Sequence, residues 1–131
     1  MTMHKNEQWI KWKPHPELCA QYIFDSIIDG KNIFEIKLIS PPTTHRLHVS
    51  FQSDATSYQL TSKLLYEGKQ KIKCPDEWAF FKIVNSDYLK DLYEDSCGIS
   101  GTRNFIHFSI ITTEWIIDIM SPDEPAFLFV K

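Results

Sequence analysis

The run from His107 to Ser121, HFSIITTEWIIDIMS, places a histidine, a serine, a glutamate and an aspartate among apolar residues. Acyl-transfer catalysts are assembled from these types: a hydroxyl within hydrogen-bond reach of an imidazole, and a carboxylate that orients the imidazole. Read as two strands turning near Thr112-Thr113-Glu114, the run aligns Ile106, Phe108 and Ile110 with Trp115, Ile117 and Ile119 as one apolar face. His107, Ser109 and Asp118 fall on the other face, with Asp118 opposite His107 in one register and opposite Ser109 in the next. A regular strand gives Ser109 no sharp elbow, and no glycine-rich loop lies beside it to hold an oxyanion. The expectation is therefore a cross-strand polar pair on a half-exposed face, with His107, Ser109 and Asp118 as the lining of an alternative pocket and with no catalytic residue assigned.

Metal chemistry is less favoured still. His45 and His48 are three apart on a predicted strand, so their side chains point to opposite faces, and neither lies at usable spacing from a cysteine. Neither a metal nor a cofactor is expected. Cys19, Cys74 and Cys97 are far apart, form no C-x-x-C pair and leave one over if two are bridged, which is the usage of a reducing compartment. No apolar run approaches the ~20 residues of a membrane span, and the lysines near the start have no apolar signal core behind them. The chain reads as cytoplasmic, with no membrane partner.

Charge points to a different kind of site. Residues 1–82 carry 11 basic side chains against 9 acidic ones, whereas residues 83–131 carry 3 against 8. That balance is the reverse of a nucleic-acid binder's and suits a basic partner. Lys69, Lys71 and Lys73, near Tyr66 and Trp78, are offset by Glu67, Asp76 and Glu77, and read as a solvated edge that resists strand-to-strand aggregation. The acidic residues concentrate in NSDYLKDLYEDSCGIS, where Asn85 or Ser86 can cap a helix and Gly98 can stop it. At helical spacing Leu89, Leu92, Tyr93 and Ser96 share one face and Asp87, Asp91, Glu94 and Asp95 the opposite one. Like charges four apart cost a few tenths of a kcal/mol. Glu94 and Asp95 also lie near the negative end of the helix dipole, so stability alone does not choose this arrangement. Asp87, Asp91, Glu94 and Asp95, flanked by Tyr88, are the expected partner-binding residues.

The elements that must position these groups follow from periodicity. Tyr22–Asp29 and Ile33–Ser40 are rich in β-branched and aromatic residues around Asp29-Gly30-Lys31-Asn32, a hairpin signal, and Phe34, Ile36 and Leu38 alternate toward a core. Pro41-Pro42 ends the second strand, and HRLHVSF resumes with Leu47, Val49 and Phe51 on one face. ATSYQL reads as a short strand followed by one helical turn closed by Gly68. WAFFKIV reads as a central strand buried on both faces, and Ala126–Val130 as the last strand. The expectation is a single domain, residues 1–131, of the α+β class: a largely antiparallel sheet of six to eight strands with one main amphipathic helix, 86–97, packed on one face.

The order WAFFKIVNSDYLKDLYEDSCGI, then HFSIITTEWIIDIMS and EPAF, resembles small bacterial immunity proteins of polymorphic and contact-dependent toxin systems. The resemblance covers Trp78 to Phe127, on an N-S-x-Y-L helix start, an H-x-x-I-I strand and an I-D-I-x-S return. It implies a binding protein without chemistry of its own, which neutralises a cognate toxin by covering its active site or an essential surface. A basic nuclease toxin would be matched by an acidic inhibitor.

Overall fold

A computed structural model of the chain describes residues 7–52, 57–70, 77–95 and 105–131, with side chains described except at 69–70 and 92–95. The described elements are strands β1 (Gln8–Lys11), β2 (Ile23–Gly30), β3 (Ile33–Ile39), β4 (Arg46–Phe51) and β5 (Ser57–Ser62), helix α1 (Lys63–Gln70), β6 (Phe80–Val84), helix α2 (Asp87–Asp95), β7 (Ile106–Ile111), β8 (Trp115–Ser121) and β9 (Ala126–Val130). They form two antiparallel sheets, one ordered β1-β6-β7-β8-β5 and the other β2-β3-β4-β9.

The alternating residues explain the sandwich. Phe34, Ile36 and Leu38 of β3 and Leu47, Val49 and Phe51 of β4 are all buried, as are Phe80 of β6, Phe108 and Ile110 of β7, and Ile117 and Ile119 of β8. The two inner faces meet through aromatic pairs, Phe34 with Tyr58 at 4.7 Å, Phe51 with Phe108 at 5.6 Å and Phe80 with Phe127 at 6.0 Å between ring centroids. Trp12, Leu18 and Tyr22, from the segment joining β1 to β2, join the same core. The phenol oxygen of Tyr22 accepts the Cys19 amide at 3.0 Å, and burial pushes its pKa up to about 12.

The five-stranded sheet also has an outer layer. Phe81, Ile83 and Ile111, of opposite parity to the inner residues, form a second apolar cluster with Trp9 and Trp78 packed against it. Tyr66 of α1 stands 6.4 Å from Trp9, and Tyr88 of α2 stands 5.7 Å from His107 of β7, so both helices lie on this side of the sheet.

The largely antiparallel pairing is as expected, but the α+β balance is not: among the described residues the fold is mostly β, with two sheets rather than one of six to eight strands and two short helices rather than one main helix. Hydrophobic alternation marks a strand's inner face but carries no label for the sheet it joins. The missed strand, β1, is only four residues long and leaves Ile10 48% exposed, so no alternation marks it. The β2–β3 turn is also shifted: Asp29 and Gly30 pair with Phe34 and Ile33, and Lys31-Asn32 makes the turn with Asn32 at φ 68°, a conformation asparagine tolerates better than most residues. The single turn expected before Gly68 runs through it to Gln70. Gly98 as the stop of α2, residues 96–97, Cys74, Lys71 and Lys73 lie outside the described residues.

Candidate functional site

The site begins where β6 ends. Asn85 takes φ 58°, turning the chain sharply out of the strand, and Ser86 then caps α2: its carbonyl accepts the Lys90 amide at 3.2 Å and its hydroxyl accepts the Leu89 amide at 3.0 Å. The next free amide, that of Asp87, donates to Glu7 Oε2 at 2.9 Å, which sets a carboxylate at the positive end of the helix.

The Ser86 hydroxyl makes a second bond, to His107 Nδ1 at 2.6 Å, and His107 Nε2 lies 2.7 Å from Asp118 Oδ1. A carboxylate only accepts, so opposite Asp118 it is Nε2 that donates, and in the tautomer with its proton there Nδ1 is the acceptor for the Ser86 hydroxyl. Hydroxyl, imidazole and carboxylate therefore form one continuous chain. Ser86 and His107 are each 5% exposed, and Tyr88 roofs the imidazole edge-on while its hydroxyl lies 3.4 Å from Ser57 Oγ.

Of the two registers open to the β7–β8 hairpin, the structure takes the one that pairs Ser109 with Asp118 and His107 with Met120. His107 reaches Asp118 along the diagonal. Ser109 is fully buried, yet its hydroxyl has no hydrogen-bond partner among the described residues. The hydroxyl that meets the imidazole is thus Ser86, not Ser109, and in the polar pair expected on a half-exposed face His107 is buried while Asp118 stays partly exposed. Ser86 is legible in the sequence as a helix cap, but nothing local announces that it lies over a strand 21 residues later.

This arrangement latches the start of α2 to β7 and β8. A nucleophilic serine needs an approach for substrate and amide donors aimed at the developing oxyanion. Here the hydroxyl is enclosed, and the amide beside it is taken by a carboxylate that would repel an oxyanion. Two cavities among the described residues lie elsewhere. One of about 220 Å³ is lined by Tyr22, Lys63, Trp78, Ile111 and Thr112, and one of about 260 Å³ by Cys19, Ser40, His45, Arg46 and Phe129. Neither is lined by His107, Ser109 or Asp118. No group of three or more His, Cys, Asp or Glu side chains among the described residues is placed to hold a metal ion. Nor is any described helix long and apolar enough to cross a membrane.

On α2, Lys90 and Asp91 are exposed, whereas Asp87 is half-buried and 4.0 Å from the Lys90 ammonium. Tyr88 turns toward the sheet, where it packs on His107, rather than standing beside the acidic face. Glu94 and Asp95 belong to the helix, and their side chains lie outside the described residues. Compared with protein-family models, curated proteins and solved structures, the chain gives no significant match.

Proposed function

We propose that the protein is an immunity-type inhibitor that works in the cytoplasm by stoichiometric binding to a basic protein toxin, a nuclease being the best-matched class. Helix α2 makes the contact through Asp87 and Asp91, with Glu94 and Asp95 in its last turn. The observation that carries this reading is the latch. Ser86, His107 and Asp118 are engaged in fixing the start of α2 to β7 and β8, and one turn into the helix the carboxylate Asp91 is exposed beside Lys90. A negative surface on a helix tied down at its start favours fast, specific association with a positive partner. The resemblance of Trp78–Phe127 to immunity proteins points the same way.

Co-expression with the product of the adjacent gene tests it. The expected result is a co-purifying complex and restored growth of cells that carry the toxin. Neither complex nor rescue would overturn the reading.

The order Ser86–His107–Asp118 favours a second reading, a small hydrolase whose pocket near His107 and Asp118 opens when α2 moves away. That reading requires turnover of an activated ester such as p-nitrophenyl acetate and its loss in Ser86→Ala. Binding-only function requires turnover no greater than that of the Ser86→Ala protein.

A further inference from the structure

The inner face of the four-stranded sheet runs one row beyond the core. Leu38, Leu47 and Phe129 lie side by side in the β3–β4–β9 register, with Leu38 and Leu47 buried. Two residues further along the sheet the same parity reaches Ser40, His45 and Lys131, and the Ser40 amide still donates to the His45 carbonyl at 2.9 Å. Apolar side chains thus give way to a hydroxyl, an imidazole and an ammonium, which line the cavity of about 260 Å³ together with Leu47, Phe129 and Tyr22. Arg46 also borders it, but has the opposite parity, and its guanidinium is already held by Asp25 at 2.9 Å.

The polar groups of this cavity are under-used. Ser40 is 5% exposed, yet its hydroxyl has one partner among the described residues, the Cys19 thiol at 3.6 Å, and sulfur is a weak partner. A buried hydroxyl so poorly satisfied calls for a better one. The His45 ring and the Lys131 ammonium have no partner among the described residues. Nor has the carboxylate of Glu17, which borders the cavity from the segment that brings Cys19 over Ser40. The turn from Ser40 to His45 is strained as well: Thr44, a β-branched residue, takes φ 58°, and its amide is fixed to the Ser40 carbonyl at 2.8 Å. Strain of this kind gathers at binding sites.

We propose that this cavity binds a free α-amino acid with an apolar side chain, its carboxylate on Ser40, His45 and Lys131, its ammonium on Glu17, and its side chain against Leu47, Phe129 and Tyr22. The row of Ser40, His45 and Lys131 offers donors, which match a carboxylate, a group that only accepts. Glu17 only accepts, which matches an ammonium. The opposite charges of Lys131 and Glu17 balance, so a ligand carrying one charge of each sign uses both, whereas a simple anion or cation meets one of them with its own sign. A few polar groups that fix orientation above an apolar floor are the usual make-up of a small-molecule site, and the volume, just below the roughly 300–1,000 Å³ range of such sites, suits a ligand of this size.

Calorimetric titration of the full chain with L-phenylalanine, hydrocinnamate and phenethylamine tests the proposal, since the last two each lack one of the charged groups. L-phenylalanine should bind with a Kd of about 1 mM or tighter, and each of the others at least about tenfold more weakly. Glu17→Gln should abolish the advantage over hydrocinnamate, and Lys131→Gln the advantage over phenethylamine. Both side chains are exposed, so both variants should fold, which circular dichroism checks. Lys37→Gln, of outward parity on β3, should change neither advantage. No binding of L-phenylalanine at about 10 mM would overturn the proposal. Equally tight binding of either single-charge ligand, or advantages that survive Glu17→Gln and Lys131→Gln, would overturn it too.

Discussion

At Ser86 one hydroxyl serves three elements at once: it caps α2, it donates to an imidazole of β7, and through that imidazole it is tied to a carboxylate of β8. Loss of a cap alone costs about 1 kcal/mol, and leaving buried Nδ1 of His107 without its donor adds about 1–3 kcal/mol. Ser86→Ala should therefore lower unfolding free energy by about 2–4 kcal/mol in urea titration, and Ser86→Thr, which keeps the hydroxyl, by much less. The other residue-scale prediction concerns Tyr22. Its folded-state pKa of about 12 lies above the ordinary 10.0, so the unfolded chain releases the phenol proton first as pH rises. Its contribution to stability is whole below pH 10 and is lost between pH 10 and about 12. Tyr22→Phe should show a shallower loss of stability over that window in denaturant titrations, at a cost of about 1 kcal/mol at neutral pH for the hydrogen bond from Cys19.

Among the elements, the seam between the sheets carries the stability. Phe108 is 1% exposed and meets Phe51 and Trp12 at 5.6 and 5.0 Å, so Phe108→Ala should cost about 3–5 kcal/mol, read as a fall in urea midpoint with an unchanged slope. This seam was legible in the sequence. The alternations in β3, β4 and β7 each named the inner face correctly, because a strand's period of two is imposed by its own backbone. The β7–β8 hairpin was legible except for its register, since both alternatives keep the apolar face intact and only the turn at Thr112 decides between them. There the Thr112 amide and hydroxyl both donate to the Trp115 carbonyl, at 2.8 and 3.0 Å. Pairings distant in sequence were not legible. β5 lies beside β8, and Ser86 lies over His107, because separate runs meet in space and no local pattern encodes that meeting. The candidate site was consequently half-visible: His107 and Asp118 could be placed together, whereas the serine that joins them could not.

At the scale of the whole molecule, charge is divided between a slightly basic stretch through residue 82 and a strongly acidic remainder. Within the acidic remainder, the latch holds the start of α2 against the five-stranded sheet. The measurement that bears most directly on protein binding by α2 is calorimetric titration of the adjacent gene's product with wild type and with Asp91→Lys/Glu94→Lys, at low and at physiological salt. Charge reversal should weaken the complex by at least about tenfold and flatten its salt dependence. Equal affinity and equal salt dependence in the two proteins would contradict the assignment.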